Sequence, residues 1–340
     1  MIVIINGPLG IGKTELSWAL VEFFERGIML DGDFIGAVHP FEIYDPGRIE
    51  YLYQTLYLLV DHHRRHGYPH FVINYVFEEA QSLNRLRSLL MELDDVIYAF
   101  RLVCNPQEAE RRILQRGQSA GLDAKRLAWE ISRAAQLAAI QRTAALHGDL
   151  GYPIDTSGLG IQQTAQAIWD VIHERITLVA YRPEWVQLFR AEKERVQLAL
   201  GELALNIHHI GSTSVPGLSA KPVIDLMVEI PDIEHASACI PPLQALGYAF
   251  IDHPENIDRR FFRKGSPRSY HLHLVQQNSQ ALQDHLDFRE ALRTDVALRQ
   301  RYQLLKEELA DRFSSERKAY TDHKGDFVVA ALQAYRSERH

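Results

Sequence analysis

Residues 7–14 read Gly7-Pro8-Leu9-Gly10-Ile11-Gly12-Lys13-Thr14, a complete G-x-x-x-x-G-K-[ST] string. Glycines at this spacing let backbone N–H groups curl around phosphate oxygens. The lysine can then reach the β- and γ-phosphates of a nucleotide, and the threonine hydroxyl can ligate Mg²⁺. A second string, His209-Ile210-Gly211-Ser212-Thr213-Ser214-Val215-Pro216-Gly217-Leu218-Ser219-Ala220-Lys221, leads into Pro222-Val223-Ile224-Asp225-Leu226-Met227. Here Gly211, Ser212 and Thr213 offer N–H and hydroxyl donors to a triphosphate tail, with Lys221 close by. Asp225 can hold a divalent cation such as Mg²⁺. One chain thus carries two phosphate loops of different chemistry.

The residues around each loop narrow the chemistry. A mechanical ATPase places an acid at the end of a second core strand, but Phe71-Val72-Ile73-Asn74-Tyr75 ends in none. The acids come earlier, in Leu30-Asp31-Gly32-Asp33-Phe34. Asp33 is the candidate general base or anchor of a Mg²⁺-bound water in phosphoryl transfer, with Asp31 the alternate; a tight Asp-Gly turn is the other reading of the pair. Transfer also needs cations over the γ-phosphate. Arg111, Arg112 and Arg116 supply them, Arg112 and Arg116 lying one helical turn apart. Pairing of these arginines with Glu108 and Glu110 on a solvated face is the alternative. Residues 117–147 form the expected lid region.

In the second half, Asp225 and Met227 share one face of a strand, and a thioether cannot ligate a hard cation. Glu229 shares that face but lies about 13 Å from Asp225 at ~3.3 Å per residue. The missing ligands are sought in His271 and His273, which also share a strand face; imidazole suits Mn²⁺ or Zn²⁺ better than Mg²⁺. A hydrogen-bonded histidine pair, and an Asp225 ion pair with Lys221 or an arginine, stay open as structural alternatives. Arg263 and Lys264 are further phosphate candidates. His62-His63-Arg64-Arg65-His66 reads as a solvated helix end.

Elements must position these groups. In the first half strands are expected over 2–5, 28–30, 71–75, 96–103 and 152–157. Helices are expected over 13–26, 48–66, 78–91, 106–117, 123–146 and 161–175. Strands alternating with helices predict a parallel sheet with crossover helices. In the second half a helix is expected over 184–200, strands over 205–210 and 223–230, and a helix over 234–246. Strands near 248–252, 259–264 and 270–275 follow. Residues 280–338 read as helix broken around Phe313-Ser314-Ser315. The expected fold class is an α/β P-loop NTPase domain over 1–176, joined without a long linker to an α+β domain over 177–340 with a helical C-terminal tail.

Composition sets bounds on partners. At 340 residues the chain is comfortable for two domains. Acidic residues outnumber basic ones by 44 to 37, so neither half is expected to carry a footprint for long nucleic acid. No apolar run suffices to span a membrane, and the first residues lack the basic segment of a secretion signal. Two cysteines, Cys104 and Cys239, make no disulfide framework, which fits a reducing cytoplasm.

The order P-loop, "DGDF", "AERRILQRG", His147 and "IDTSG" resembles the small P-loop kinases that phosphorylate non-nucleotide hydroxyls, including the chloramphenicol phosphotransferase-like group. That resemblance implies a closing strand and helix near adenine at Pro153–Ile168. The second phosphate string is laid out like that of polymerase-β-type nucleotidyltransferases and more closely resembles the GrpB family. The likeness continues through "HLHLV" at 271–275, "DFREALR" at 287–293, Tyr302 with Lys306, and Tyr320 with Lys324. Where that superfamily usually presents Asp-x-Asp or Asp-x-Glu, this chain has Asp225-Leu226-Met227. Fusion of a small P-loop kinase such as dephospho-CoA kinase to this family is a known architecture. The resemblance implies a bifunctional ATP-using protein. Its first half would transfer the γ-phosphate to an unidentified small-molecule hydroxyl with Mg²⁺. Its second half would bind a nucleoside triphosphate and transfer a nucleotidyl group, with Mn²⁺ an alternative metal. A second half degenerate in catalysis and acting as a ligand sensor or scaffold is the competing expectation.

Overall fold

The computed structural model describes residues 1–39, 42, 44–252, 258–314 and 316–337. The chain forms two compact units, Met1–Ile172 and His173–His340.

The first unit alternates strand and helix. Its strands are β1 (Ile2–Asn6), β2 (Gly27–Asp31), β3 (His70–Asn74), β4 (Ile97–Val103) and β5 (Tyr152–Asp155). Its helices are α1 (Lys13–Val21), α2 (Gly32–Ile35), α3 (Pro46–Arg65), α4 (Ala80–Leu90), α5 (Pro106–Ser119), α6 (Ala124–His147) and α7 (Ile161–Ile172). The sheet runs β2-β3-β1-β4-β5 and every pairing is parallel. Helices cover both faces. Ile2, Ile4 and Ile73 pack with Leu52, Leu56 and Leu83 on one side. Val3, Ile5 and Phe100 pack with Leu16, Leu20 and Ile168 on the other. A central strand buried on both faces needs a continuous apolar run, which Ile2–Ile5 supplies. The arrangement fits the P-loop kinase fold. It gathers Asn6, Asp31 and Asn74 at the carboxyl ends of β1, β2 and β3, where ligands of parallel sheets are held.

Helix starts follow the sequence. Asn105 precedes Pro106 and accepts a hydrogen bond from the Glu108 N–H at 2.8 Å. Asp123 does the same for Arg126, also at 2.8 Å. The helix expected to run to Arg26 stops at Val21 instead. Phe23 and Phe24 donate to Leu20 and Val21 in i→i+3 bonds of 3.2 and 3.1 Å, a tightened last turn that reverses the chain into β2.

The second unit contains α8 (Glu184–Leu200), β6 (Asn206–Ile210), β7 (Ile224–Ile230), α9 (Ala236–Ala245), β8 (Tyr248–Ile251), β9 (Arg259–Lys264) and β10 (Tyr270–Gln276). Helices α10 (Gln280–Thr294), α11 (Val296–Arg312), α12 (Arg317–Asp322) and α13 (Gly325–Ser337) follow. Its sheet is mixed, in the order β6-β7-β10-β9-β8, with β7 and β10 parallel and the other pairs antiparallel. One face packs Leu226, Val228, Leu272 and Phe262 against Trp185, Val196, Cys239 and Leu243. On the other face Ile210, Met227 and Val275 meet Leu282. Met227 therefore plugs a core, which accounts for a thioether where a second acid was sought. The helical tail breaks more often than expected. Asp295 caps α11 by accepting from the Leu298 N–H at 2.9 Å, and a turn at His323-Lys324 precedes Gly325. The expected break falls at Phe313-Ser314; Ser315 and residue 338 lie outside the described residues. Ile176 packs with Leu309 and Tyr320, so the linker into this unit starts before it.

Candidate functional site

The P-loop leaves β1 at Asn6, which is fully buried. Its side-chain oxygen accepts from the Gly7 N–H at 2.7 Å, the Phe77 N–H at 3.0 Å and Gln141 at 2.9 Å, and its amide donates to Phe77 and Leu150 carbonyls. The root of the loop is thus fastened to three other segments. Gly12 closes the loop with φ 97°, a conformation that L side chains avoid. An added Cβ there would meet nothing within 4 Å, so the glycine serves backbone geometry and leaves space open in front of α1. Lys13 is buried and folds back over the loop, donating to the Gly7 and Pro8 carbonyls at 3.1 Å each. Desolvation lowers its pKa against the opposing pull of Asp33 and Asp31.

Asp31 and Asp33 take separate roles. One Asp31 oxygen accepts from the Thr14 hydroxyl at 2.9 Å; the other caps α2 through the Asp33 and Phe34 N–H groups at 3.0 and 3.3 Å. The Thr14–Asp31 pair offers hard oxygen donors of the kind Mg²⁺ takes. Asp33 projects from the first turn of α2 and stays accessible. The surrounding walls desolvate its carboxylate and raise its pKa, although Lys13 and Arg48 oppose this. An accessible carboxylate with a raised pKa is a candidate general base.

The two arginines part company. Arg112 donates to the Thr156 hydroxyl at 2.9 Å and the Thr156 carbonyl at 2.7 Å, and pairs with Glu108 at 2.9 Å. It braces the turn after β5. Arg116 reaches across to Glu130 of α6 and acts electrostatically on Lys13. Two further cations escaped the sequence reading because nothing in local spacing marks them. Buried Arg48 donates to the Glu42 carbonyl at 3.0 Å and to the Tyr75 hydroxyl at 3.5 Å. Arg133 pairs with Glu78 at 2.7 Å and donates to the Tyr44 hydroxyl at 3.1 Å.

In the second unit, the Gly211-Ser212-Thr213 turn follows β6 as a short 3-10 helix at Ser212–Ser214. The Ser212 and Thr213 N–H groups open that turn and so have no acceptor within it. Cations tether its carbonyls: Arg289 donates to His209 at 2.8 Å, and Arg293 to Ser214 at 3.1 and 2.8 Å. His209 stacks on Phe189 and bonds Thr213 at 3.1 Å; burial pushes its pKa down to about 4. Gly211 has φ 70° and ψ −178°. A Cβ there would stand 3.0 Å from Asp225 Cγ and closer still to one carboxylate oxygen. Gly211→Ala is therefore expected to cost about 1–3 kcal/mol in backbone strain alone. A lower urea midpoint for the second unit checks this; an unchanged midpoint would contradict it.

Asp225 faces His271 across the β7–β10 pairing, and His273 follows on the same face opposite Met227. His271 Nδ1 lies 3.0 Å from Asp225 Oδ1. Burial pushes the Asp225 pKa up, but this bond and the neighbouring imidazoles outweigh it and leave the carboxyl below its ordinary value. Asp225 is thus partnered by a histidine, where Lys221 or an arginine was the alternative weighed. His271 Nε2 and His273 Nδ1 are buried with no hydrogen-bond partner. Even so, among the described residues no three His, Cys, Asp or Glu side chains come together as a metal-binding group. Lys264 is held by buried Glu192 at 2.7 Å, away from any phosphate role. Glu229 is taken by His208.

Lysines surround the same turn. Lys306 of α11 donates to the Ser212 hydroxyl at 3.3 Å and to the Ser219 carbonyl. Lys221 and Lys324 lie 4.7 and 4.2 Å from the centre of the Tyr320 ring. The paired Tyr-x-x-x-Lys spacing at 302–306 and 320–324 was the sequence signal for Lys306 and Lys324, and the glycine-serine string that for Lys221.

A family model described as GrpB protein matches residues 175–334. Over 159 residues the chain is 36% identical to UPF0157 protein BH1888 of Halalkalibacterium halodurans, covering 46% of this chain and 81% of that one. The chain belongs to the GrpB family. GrpB likeness spans the second unit. UPF0157 protein YqkA of Bacillus subtilis is 34% identical over 158 residues, and the chain spans 46% of its length. A dephospho-CoA kinase of Mycolicibacterium paratuberculosis is 29% identical over 119 residues, 29% of each chain. Among solved structures, GrpB from Enterococcus faecalis aligns with a TM-score of 0.45 at 33% identity, covering 48% of this chain and 99% of that one. Shikimate kinase from Acinetobacter baumannii aligns with a TM-score of 0.34 at 18% identity, covering 51% and 93%. The protein thus joins a P-loop α/β unit to a GrpB unit. Among the described residues no helix is long and apolar enough to cross a membrane.

Proposed function

We propose that the first unit transfers the γ-phosphoryl group of ATP to a hydroxyl of a small molecule, and that the GrpB unit binds a nucleoside triphosphate. What supports phosphoryl transfer is the convergence of Lys13, the Thr14–Asp31 pair and Asp33 at the carboxyl edge of one parallel sheet. Lys13 would leave the Gly7 and Pro8 carbonyls for the β- and γ-phosphates. Thr14, held by Asp31, would ligate Mg²⁺, which would offset phosphate charge when bound. Asp33 would accept the proton of the attacking hydroxyl, and Arg116 would add positive charge from the lid side. Both units would act in the cytoplasm, where nucleoside triphosphates are supplied.

Whether the GrpB unit also transfers a nucleotidyl group divides two readings. The Gly211-Ser212 turn beside Asp225 supports transfer. The Asp225–His271 bond, with Met227 in the core, favours a ligand sensor or scaffold. ATP labelled at the α-phosphate, supplied with Mg²⁺ or Mn²⁺ and a metabolite extract, decides between them. Label appearing in a product with pyrophosphate released establishes transfer. Bound nucleotide with no movement of label leaves the sensor reading.

A further inference from the structure

Three lysines from three separate elements close on one turn of the GrpB unit. Lys221 follows the Gly211–Ala220 loop, Lys306 lies on α11 and Lys324 lies in the turn after α12. Lys306 is 2% exposed, and its ammonium spans the loop from the Ser212 hydroxyl to the Ser219 carbonyl. Two tyrosines wall the cluster. Tyr302 lies 5.1 Å beneath Lys306, and the Tyr320 ring serves both Lys221 and Lys324. Among the described residues neither Lys306 nor Lys324 forms an ion pair.

Such a cluster is costly as it stands. The Lys306 and Lys324 ammonium groups lose water, and Lys324 and Lys221 both repel Lys306. Desolvation, then repulsion from Lys324 and Lys221, pushes Lys306 down to about 7. Desolvation pushes Lys324 to about 8 although Asp225 opposes it. Elsewhere in this unit a buried charge is matched: Glu192, fully buried, is met by Lys264 at 2.7 Å and Arg195 at 2.5 Å. The lysine cluster has no comparable carboxylate on Lys306 or Lys324. An arriving anion would relieve repulsion and desolvation together, and the Ser212 and Thr213 N–H groups start the turn that Lys306 contacts.

We propose that Lys221, Lys306 and Lys324 form a polyphosphate clamp, so that the GrpB unit recognises its ligand through two or more linked phosphates rather than through a nucleoside. This deepens the nucleotide-binding reading given above and rests on it. A single phosphate would meet only part of a cluster drawn from three elements. The same chemistry could come from free pyrophosphate or from the tail of a nucleoside triphosphate.

The full chain carrying Lys13→Ala, which removes the P-loop lysine, lets binding at the GrpB unit be read. Calorimetric titration with pyrophosphate, ATP and AMP is expected to give binding of the first two and at least tenfold weaker binding of AMP. Adding Lys324→Ala should weaken pyrophosphate and ATP together, by about tenfold or more, and Lys324→Arg should restore much of the loss. Because Lys306 is buried in the fold, it is read without substitution: amine-reactive labelling followed by mass spectrometry should show Lys306 and Lys324 protected by pyrophosphate. If ATP binds but the lysine replacements and the labelling do not respond, the clamp is wrong while nucleotide binding stands. If neither ATP nor pyrophosphate binds the Lys13→Ala chain, both fall.

Discussion

Lys13→Ala is expected to reduce phosphoryl transfer by about 10²–10³ in turnover, the scale seen when one preorganised electrostatic donor is removed from developing charge. It should also weaken ATP at the first unit by about tenfold to a hundredfold, since a hydrogen bond to a charged group is worth ~1.5–3 kcal/mol. The geometry explains why both effects come from one residue. Lys13 is buried and already desolvated, and its two partners are the neutral carbonyls of Gly7 and Pro8. Exchanging them for phosphate oxygens gains charge complementarity with little further loss of water. Calorimetry on the full chain should show the nucleotide stoichiometry fall from two sites to one. Unchanged stoichiometry and affinity would show that the P-loop does not hold ATP.

Asp33→Asn is expected to keep nucleotide binding and lose about 10²–10⁴ in turnover, the usual worth of general base catalysis. Asp31 cannot take over, because its oxygens are committed to the Thr14 hydroxyl and to the cap of α2. The sign of the pH dependence follows from the base being active when deprotonated. Desolvation raises the Asp33 pKa above 3.8, so the acid limb of kcat/KM should lie above that of an ordinary aspartate and vanish in Asp33→Asn. Full activity in the variant, or a wild-type limb unchanged by it, would remove Asp33 from the chemistry.

The first unit was legible because its signals are local. A strand of four β-branched residues, a glycine string and a lysine fix β1, the loop and α1 within 14 residues. What bound Asn6 to Gln141, or Arg133 to Glu78, could not be read, since those partners lie 135 and 55 residues apart and form no periodic pattern. Arg112 looked like a phosphate ligand because it shares a helical face with Arg116. Only the fold shows that the Thr156 carbonyl and hydroxyl sit in front of it. In the GrpB unit the shared face of His271 and His273 followed from strand alternation, and the register with Asp225 confirmed that all three face one way. The core role of Met227 depended on Leu282, which arrives from α10 much later in the chain. Lys306 and Lys324 likewise gain meaning only when α11 and α12 fold back over the Gly211 turn.

The claim that this chain uses ATP as a phosphoryl donor is tested most directly by following the γ-phosphate itself. Phosphorus NMR of the full chain with ATP, Mg²⁺ and a hydroxyl-bearing metabolite extract should show the γ signal decline as a phosphomonoester signal grows, and Lys13→Ala should stop both. A γ signal that persists, or that passes only to inorganic phosphate whatever acceptors are supplied, would contradict kinase function.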